Sequence, residues 1–217
     1  PCLLSENVHC KAVIMKLHYT RPSPYARKTI VVAHELRLIE QVELVEITVP
    51  TIPTNPNPEL ARENPLVKVP VLVLDSGERL LDSIVIAEYL DSLSPGPRVF
   101  PASGSARWRA LKLHALADGI MDAGVLVRLE GLRPEQHRWP TWVTAQHGKV
   151  LGALDYIESD PAILEGEFHI GHIALVCALE WIVFRDVHRD WPIGHPRLAA
   201  WYEQIRDRPS LIATRPE

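Results

Sequence analysis

Between Ser94 and Gly104 the chain carries the run Ser94-Pro95-Gly96-Pro97 followed by Pro101, Ser103 and Gly104, and the patterning on its two sides differs. On the N-terminal side, short β-type runs alternate with helical stretches. On the C-terminal side no segment reads as a strand. Two kinds of patterning separated by a Pro/Gly/Ser-rich run predict a small α/β unit joined to an all-α unit. The expected division is an extension over 1–14, an α/β domain over 15–94, a linker over 95–104 and a helical domain over 105–217.

Within the first unit, Lys16–Thr20 reads as a strand, and Arg21-Pro22-Ser23-Pro24 breaks it. Ser23 suits the N-cap of a following helix and Pro24 its first position. Ile30, Ala33, Leu36 and Leu38 then mark one helical face, and Val42–Ile47 reads as a second strand. A loop with Pro50, Pro53, Pro56 and Pro58 leaves room for a short helix near Glu59–Glu63. Pro70–Leu74, a turn at Asp75-Ser76-Gly77-Glu78 and Arg79–Leu81 read as a hairpin, and Ser83 is expected to cap a helix over Ile84–Leu93. In the second unit the pattern predicts helices over Ser105–Leu132, Thr141–Ser159, Ile170–Arg185 and His195–Arg208, with prolines 134, 140, 161, 192, 196 and 209 at or between their ends.

The 217 residues bear a formal charge of −4 with 47% hydrophobic residues, and a chain of this size buries roughly 70% of its unfolded surface. Disorder and fibrous architecture are excluded on composition. No window approaches about 18 uninterrupted apolar residues, so no membrane span is expected. Mild acidity without a lysine/arginine block argues against nucleic acid or an anionic membrane as partner. Three cysteines (Cys2, Cys10 and Cys177) with no CxxC spacing suit a reducing compartment, and a cytoplasmic location is expected. Residues 1–14 lack the pattern of a secretory signal, and Met15 is a candidate natural start.

Three junctions in the first unit are candidates for chemistry. A helix N-terminus at Ser23 offers unpaired N–H groups and a positive dipole end, and the hydroxyl can donate to a thiolate or oxyanion; Ser23 could equally act only as the cap. In Asn64-Pro65-Leu66-Val67-Lys68-Val69-Pro70, a cis Val69–Pro70 bond at a strand start would free the Val69 backbone for a peptide-like ligand. The alternative is a trans proline opening an edge strand, with Lys68 a solvated charge. At Asp82-Ser83 a second helix N-terminus favours a carboxylate while Asp82 could accept from an ammonium; here too capping alone suffices.

The segments MKLHYTRPSPYARK (15–28), NPLVKVPVL (64–72) and GERLLDSIVIAEYLDSL (77–93) resemble the N-terminal domain of cytosolic glutathione transferases. The resemblance continues through ALADGIMDAG (115–124), IALVCALEW (173–181) and HPRLAAWYEQIRDRPSLIATRP (195–216), a pattern similar to the bacterial YibF-like subgroup. It implies a thioredoxin-like domain followed by a helical domain, a homodimer formed through the Ile84–Leu93 and Ser105–Leu132 helices, and glutathione as co-substrate without a metal. By the same resemblance Ser23 takes the position that hydrogen-bonds the glutathione sulfur. Val69, before Pro70, would pair with the cysteinyl backbone; Asp82 and Ser83 would hold the γ-glutamyl end; Lys68 would reach the glycine carboxylate. Serine in place of cysteine at position 23 disfavours a mixed disulfide there.

Tyr19 and Tyr25 are rival sulfur ligands, though each is also suited to packing. Trp108, Leu111 and Ala115 share a helical face and are candidates for an electrophile pocket between the domains. His114, Asp118 and Asp122 form a second line, read as a polar face or an intersubunit contact. The family's Ser/Thr-x-x-Asp capping box is replaced by His169-Ile170-Gly171-His172, and neither histidine is expected to reproduce its reciprocal bonds. A metal site at the two histidines lacks the further ligands it would need. The implied activity is thiolate attack on a small electrophile. A non-catalytic carrier of glutathione conjugates or hydrophobic ligands, or a surface-mediated partner protein, are the other classes the fold allows.

Overall fold

The computed structural model describes residues 15–48 and 54–216; the 1–14 extension, with Cys2 and Cys10, and residues 49–53 of the proline-rich loop lie outside them. Strand β1 (Met15–Tyr19) is followed by helix α1 (Pro24–Glu35), strand β2 (Val42–Glu46), helix α2 (Pro58–Glu63), strands β3 (Val71–Val73) and β4 (Arg79–Leu80), and helix α3 (Ser83–Leu93). The sheet order is β2-β1-β3-β4, with β1 parallel to β2 and antiparallel to β3, and β4 antiparallel to β3. This mixed sheet is the expected thioredoxin-like arrangement.

The remaining helices are α4 (Gly104–Gly131), α5 (Pro140–Ser159), α6 (Ile170–Phe184) and the shorter α7 (Trp191–Gly194), α8 (Pro196–Ile205) and α9 (Pro209–Ile212). The single helix expected over His195–Arg208 is thus cut short at Ile205, with Pro209 opening α9. Helix α6 is buried from Ile170 to Ile182 without a break, as expected of a helix apolar on every side. No helix among the described residues is long and apolar enough to cross a membrane.

Two apolar clusters fill the interior, and they do not follow the sequence division. One is confined to the helical unit around Leu113, Met121, Leu154 and Leu179. The other joins Leu17, Val31, Leu72 and Ile86 of the α/β unit to Ile170, Ile173 and Cys177 of α6. The segment between the units is pinned as well. The Asp91 carboxylate accepts from the Val99 and Phe100 N–H groups at 2.6 and 3.2 Å, and the Val99 carbonyl accepts from Ile170 at 2.8 Å.

The expectation for His169 and His172 is overturned. His172 N–H donates to His169 Nδ1 and His169 N–H donates to His172 Nδ1, both at 3.4 Å, completing a capping box at the start of α6. Histidine Nδ1 lies two bonds beyond Cβ, as does the Oδ1 of asparagine or aspartate, so it reaches the same N–H. The rings stack with centroids 3.7 Å apart and an interplanar angle of 9°. Acceptance at Nδ1 requires the neutral ring with its proton on Nε2. Burial, joined at His172 by repulsion from His169, lowers the pKa values to about 4 and about 3 for His169 and His172.

Candidate functional site

The strand register brings the three junctions to one edge of the sheet. His18 is paired with Val71, which sets Val69 and Pro70 beside the end of β1 and the turn leading to Ser23. Leu80 is paired with Leu72, which sets Asp82 and Ser83 beyond the same end of β3.

Ser23 is the N-cap of α1. Its Oγ accepts from Ala26 N–H at 3.2 Å, and its own N–H donates to the Thr20 carbonyl at 3.0 Å. The cap uses a lone pair of the hydroxyl, so the hydroxyl proton is left over for a second partner. Ser23 is half-buried and lies at the surface end of the helix.

The Val69–Pro70 bond is cis. Among the described residues, the Val69 N–H and C=O take no part in the backbone hydrogen bonds of turns and loops. The loop before them is organised by Asn64, whose role the sequence pattern did not single out. Asn64 is buried; its Oδ1 accepts from Leu66 N–H at 2.9 Å and its Nδ2 donates to the Lys68 carbonyl at 2.8 Å. These bonds hold the loop while Val67 adopts φ 52°, a left-handed conformation that disfavours a β-branched residue. Lys68 itself is exposed.

At α3 the cap is Asp82 rather than Ser83: its Oδ1 accepts from Ile84 N–H at 3.2 Å and the helix begins at Ser83. Asp82 is exposed and Ser83 buried. Burial is the main cause of the upward pKa shifts of Tyr25 and Asp118, and the Asp82 charge adds a small part to both.

The line His114, Asp118, Asp122 on α4 is a polar face, buried at His114 and exposed at Asp122. It faces α1. Lys28 Nζ, fully buried, donates to Asp118 at 2.7 Å and lies 2.8 Å from His114 Nε2. The Tyr25 hydroxyl donates to Asp122. Burial and then the Lys28 charge lower the His114 pKa to about 3, so the ring accepts from the ammonium as a neutral base. Burial, then the bond to Asp122, push the Tyr25 phenol upward. Tyr25 therefore stays protonated, with its proton held by Asp122. Tyr19 is half-buried and packs against the core that includes Leu17.

Two further ties had no signal in the linear sequence. Trp181 Nε1 donates to the Pro22 carbonyl at 2.9 Å, and the buried Arg27 guanidinium meets Glu180 at 2.7 Å. Trp108, Leu111 and Ala115 are divided: Leu111 packs against the N-terminal core, while Trp108 is 69% exposed and Ala115 is exposed. At ~1.5 Å per residue, Trp108 lies about 20 Å from Asp122 along α4, so Ala115 is the one nearest the Ser23 turn along the helix. Cys177 is fully buried and its thiol is pushed up to about 11 by burial, which makes it a packing residue. No cluster of three or more His, Cys, Asp or Glu side chains suited to a metal ion occurs among the described residues.

Comparison with known proteins fits this arrangement. The glutathione S-transferase N-terminal domain model matches residues 22–93 and the corresponding C-terminal domain model matches residues 140–204. The chain is 33% identical to the uncharacterized GST-like protein YibF of Escherichia coli K12 over 205 residues, covering 93% of this chain and 98% of that one. The chain belongs to the glutathione S-transferase family. A glutathione transferase family member from Pseudomonas fluorescens Pf-5, solved with bound glutathione, is 44% identical with a TM-score of 0.89, over 94% of this chain and 99% of that one. A glutathione S-transferase from Methylobacillus flagellatus KT, also with glutathione bound, is 36% identical with a TM-score of 0.83, over 94% and 100%. This transferase thus shares its whole architecture, from β1 through α9, with relatives that hold glutathione.

Proposed function

We propose that this glutathione transferase binds glutathione along the sheet edge and activates its thiol with Ser23 for attack on a small electrophile. In this reading the γ-glutamyl carboxylate meets the N-terminus of α3 at Ser83, and its ammonium meets Asp82. The cysteinyl backbone pairs with Val69 beside Pro70, and Lys68 approaches the glycine carboxylate. The sulfur then lies at the N-terminus of α1, where Ser23 can donate. The observation that carries the reading is the register that sets Ser23, Val69 and Asp82-Ser83 at one edge, in a chain whose relatives were solved with glutathione bound.

The chemistry balances. A free thiol with pKa ~8.5 is only a few per cent thiolate at pH 7. A charge-assisted hydrogen bond contributes roughly 1.5–3 kcal/mol, and a helix N-terminus adds a few tenths to about 1 kcal/mol. At about 1.4 kcal/mol per pKa unit, the two together lower the thiol by about one to three units. The thiolate then forms a C–S bond with the electrophile while its leaving group departs, or adds to an activated double bond that takes up a proton. Tyr25 is the weaker candidate for the sulfur ligand because its proton is held by Asp122.

Ala115 and Leu111 on α4 would border the electrophile, with Trp108 at the far end. The same reading includes pairing with a second copy through α3 and α4, where Val85 and Trp108 are exposed, and a cytoplasmic role in detoxification. Light scattering would then give twice the 24.4 kDa chain mass; a species of single-chain mass overturns the dimer.

Calorimetric titration with glutathione near pH 7, in two buffers of different ionisation enthalpy, tests the thiol activation. Proton release on binding is expected. In Ser23→Ala the pKa of the bound thiol should rise by about one unit or more, with roughly tenfold less activity below it. Full activity in Ser23→Ala overturns the assignment of Ser23, and failure to bind millimolar glutathione overturns the transferase reading.

A further inference from the structure

We propose that Trp181 is a positioning residue for Ser23, holding from the helical domain the peptide unit that carries the serine; this rests on the reading of Ser23 as the thiolate's hydrogen-bond donor. Pro22 and Pro24, on either side of Ser23, have no N–H to give. Three local bonds involve Ser23 itself: its N–H to Thr20, Arg27 N–H to its carbonyl, and Ala26 N–H to its Oγ. The Pro22 carbonyl is instead held by the indole of Trp181, 159 residues away in the chain.

That bond acts on Ser23 through the planarity of the peptide. The Pro22 carbonyl and the Ser23 N–H belong to one rigid plane. Trp181 grips it at the carbonyl at 2.9 Å and Thr20 grips it at the N–H at 3.0 Å. With both ends held, the plane from which the Ser23 side chain departs has a fixed orientation. The indole has a single donor, and it is spent on this contact.

The seat of the indole is also built for it. Trp181 is 4% exposed, and a Cβ added at Gly124 would lie 2.7 Å from its Cζ3. Gly124 is on α4 two residues beyond Asp122, which accepts from Tyr25. Helices α4 and α6 therefore converge on the same turn, one through the Tyr25 hydroxyl and one through the Pro22 carbonyl.

Trp181→Phe keeps most of the ring and deletes only the donor. The test is the ionisation of enzyme-bound glutathione, followed by thiolate absorbance against pH, together with kcat/KM for a generic aromatic electrophile. Trp181→Phe should raise the pKa of the bound thiol by about half a unit, leaving roughly threefold less thiolate below it. Adding Trp181→Phe to Ser23→Ala should give no further rise, because the indole acts through the serine. Gly124→Ala, which keeps the donor but displaces the ring, should shift the ionisation in the same direction and stands in if Trp181→Phe fails to fold. A lower melting temperature with an unmoved bound-thiol pKa shows plain packing and overturns the proposal, as does an additive effect in the double variant. If Ser23→Ala itself leaves the ionisation unchanged, the Ser23 reading has failed and the proposal falls with it. A shift in Ser23→Ala but not in Trp181→Phe or Gly124→Ala leaves Ser23 standing and overturns only the role of Trp181.

Discussion

A Cβ added at Gly171 would stand 2.5 Å from the Ala110 carbonyl oxygen and 2.9 Å from Leu113 Cβ. Neither is the free end of a side chain, so α4 and α6 must separate to admit it. Gly171→Ala should therefore cost about 1–3 kcal/mol by overpacking, read as a lower urea midpoint with unchanged slope. Residues of this kind mark the limit of reading a sequence. Ser23 announces its cap because its signal is local: a serine between prolines, at the end of a β-type run. Asn64 bonds to Leu66 and Lys68 within its own loop, yet its pattern resembles any Asn-Pro turn. Trp181 has no local signal at all, since its partner is a main-chain carbonyl in another domain and any backbone offers one. The residues proposed to touch glutathione were thus visible in the sequence, and those that hold them in place were not.

At the scale of elements, local patterning decided most of the fold. The hairpin, α1, α3 and the long α4 follow from alternation, capping residues and prolines. The start of α3 moved by one residue because aspartate and serine are equally good caps, and only the geometry shows which side chain bonds the Ile84 N–H. The start of α6 carries a sharper consequence. His169 and His172 cap the helix only while both rings are neutral, and their pKa values lie at about 4 and about 3 in the folded chain. In the unfolded chain both titrate near 6.5. Between these values the unfolded state binds more protons than the folded state, so stability is complete above about pH 6.5 and declines as pH falls, by up to about 1.4 kcal/mol per unit for each histidine. Replacing the pair by an uncharged capping box, His169→Ser with His172→Gln, should leave stability at pH 7 within about 1 kcal/mol. The same variant should reduce the loss between pH 6.5 and 4, leaving the part due to His114, which burial also holds neutral. Urea midpoints across that range check it, and an unchanged pH profile would show that the histidines are not its source.

At the scale of the whole molecule, the boundary drawn by composition at 94–104 is not a boundary of the interior. One core runs from the sheet into α6, and Lys28 on α1 lies at 0% exposure between His114 and Asp118 of α4. The sequence pattern could not show this, because a lysine on an otherwise amphipathic helix reads as a solvent-facing charge. The two units should consequently unfold together. Lys28→Met leaves the largely buried Asp118 carboxylate without its cation, and breaking a buried pair in this way costs about 3–5 kcal/mol. All six tryptophans lie in the helical unit, so fluorescence reports chiefly on that unit and, through Trp181 and Trp201, on its contact with the other, whereas Lys28 belongs to the α/β unit. If the shared core makes one cooperative body, Lys28→Met should lower the tryptophan transition and the far-UV circular dichroism transition by the same amount, and Asp118→Asn added to it should restore part of the loss. Separate transitions, with the tryptophan signal unmoved by Lys28→Met, would instead mean that the helical unit stands without the α/β unit. The grip of α4 and α6 on the Ser23 turn would then be a contact between independent bodies rather than part of a single fold.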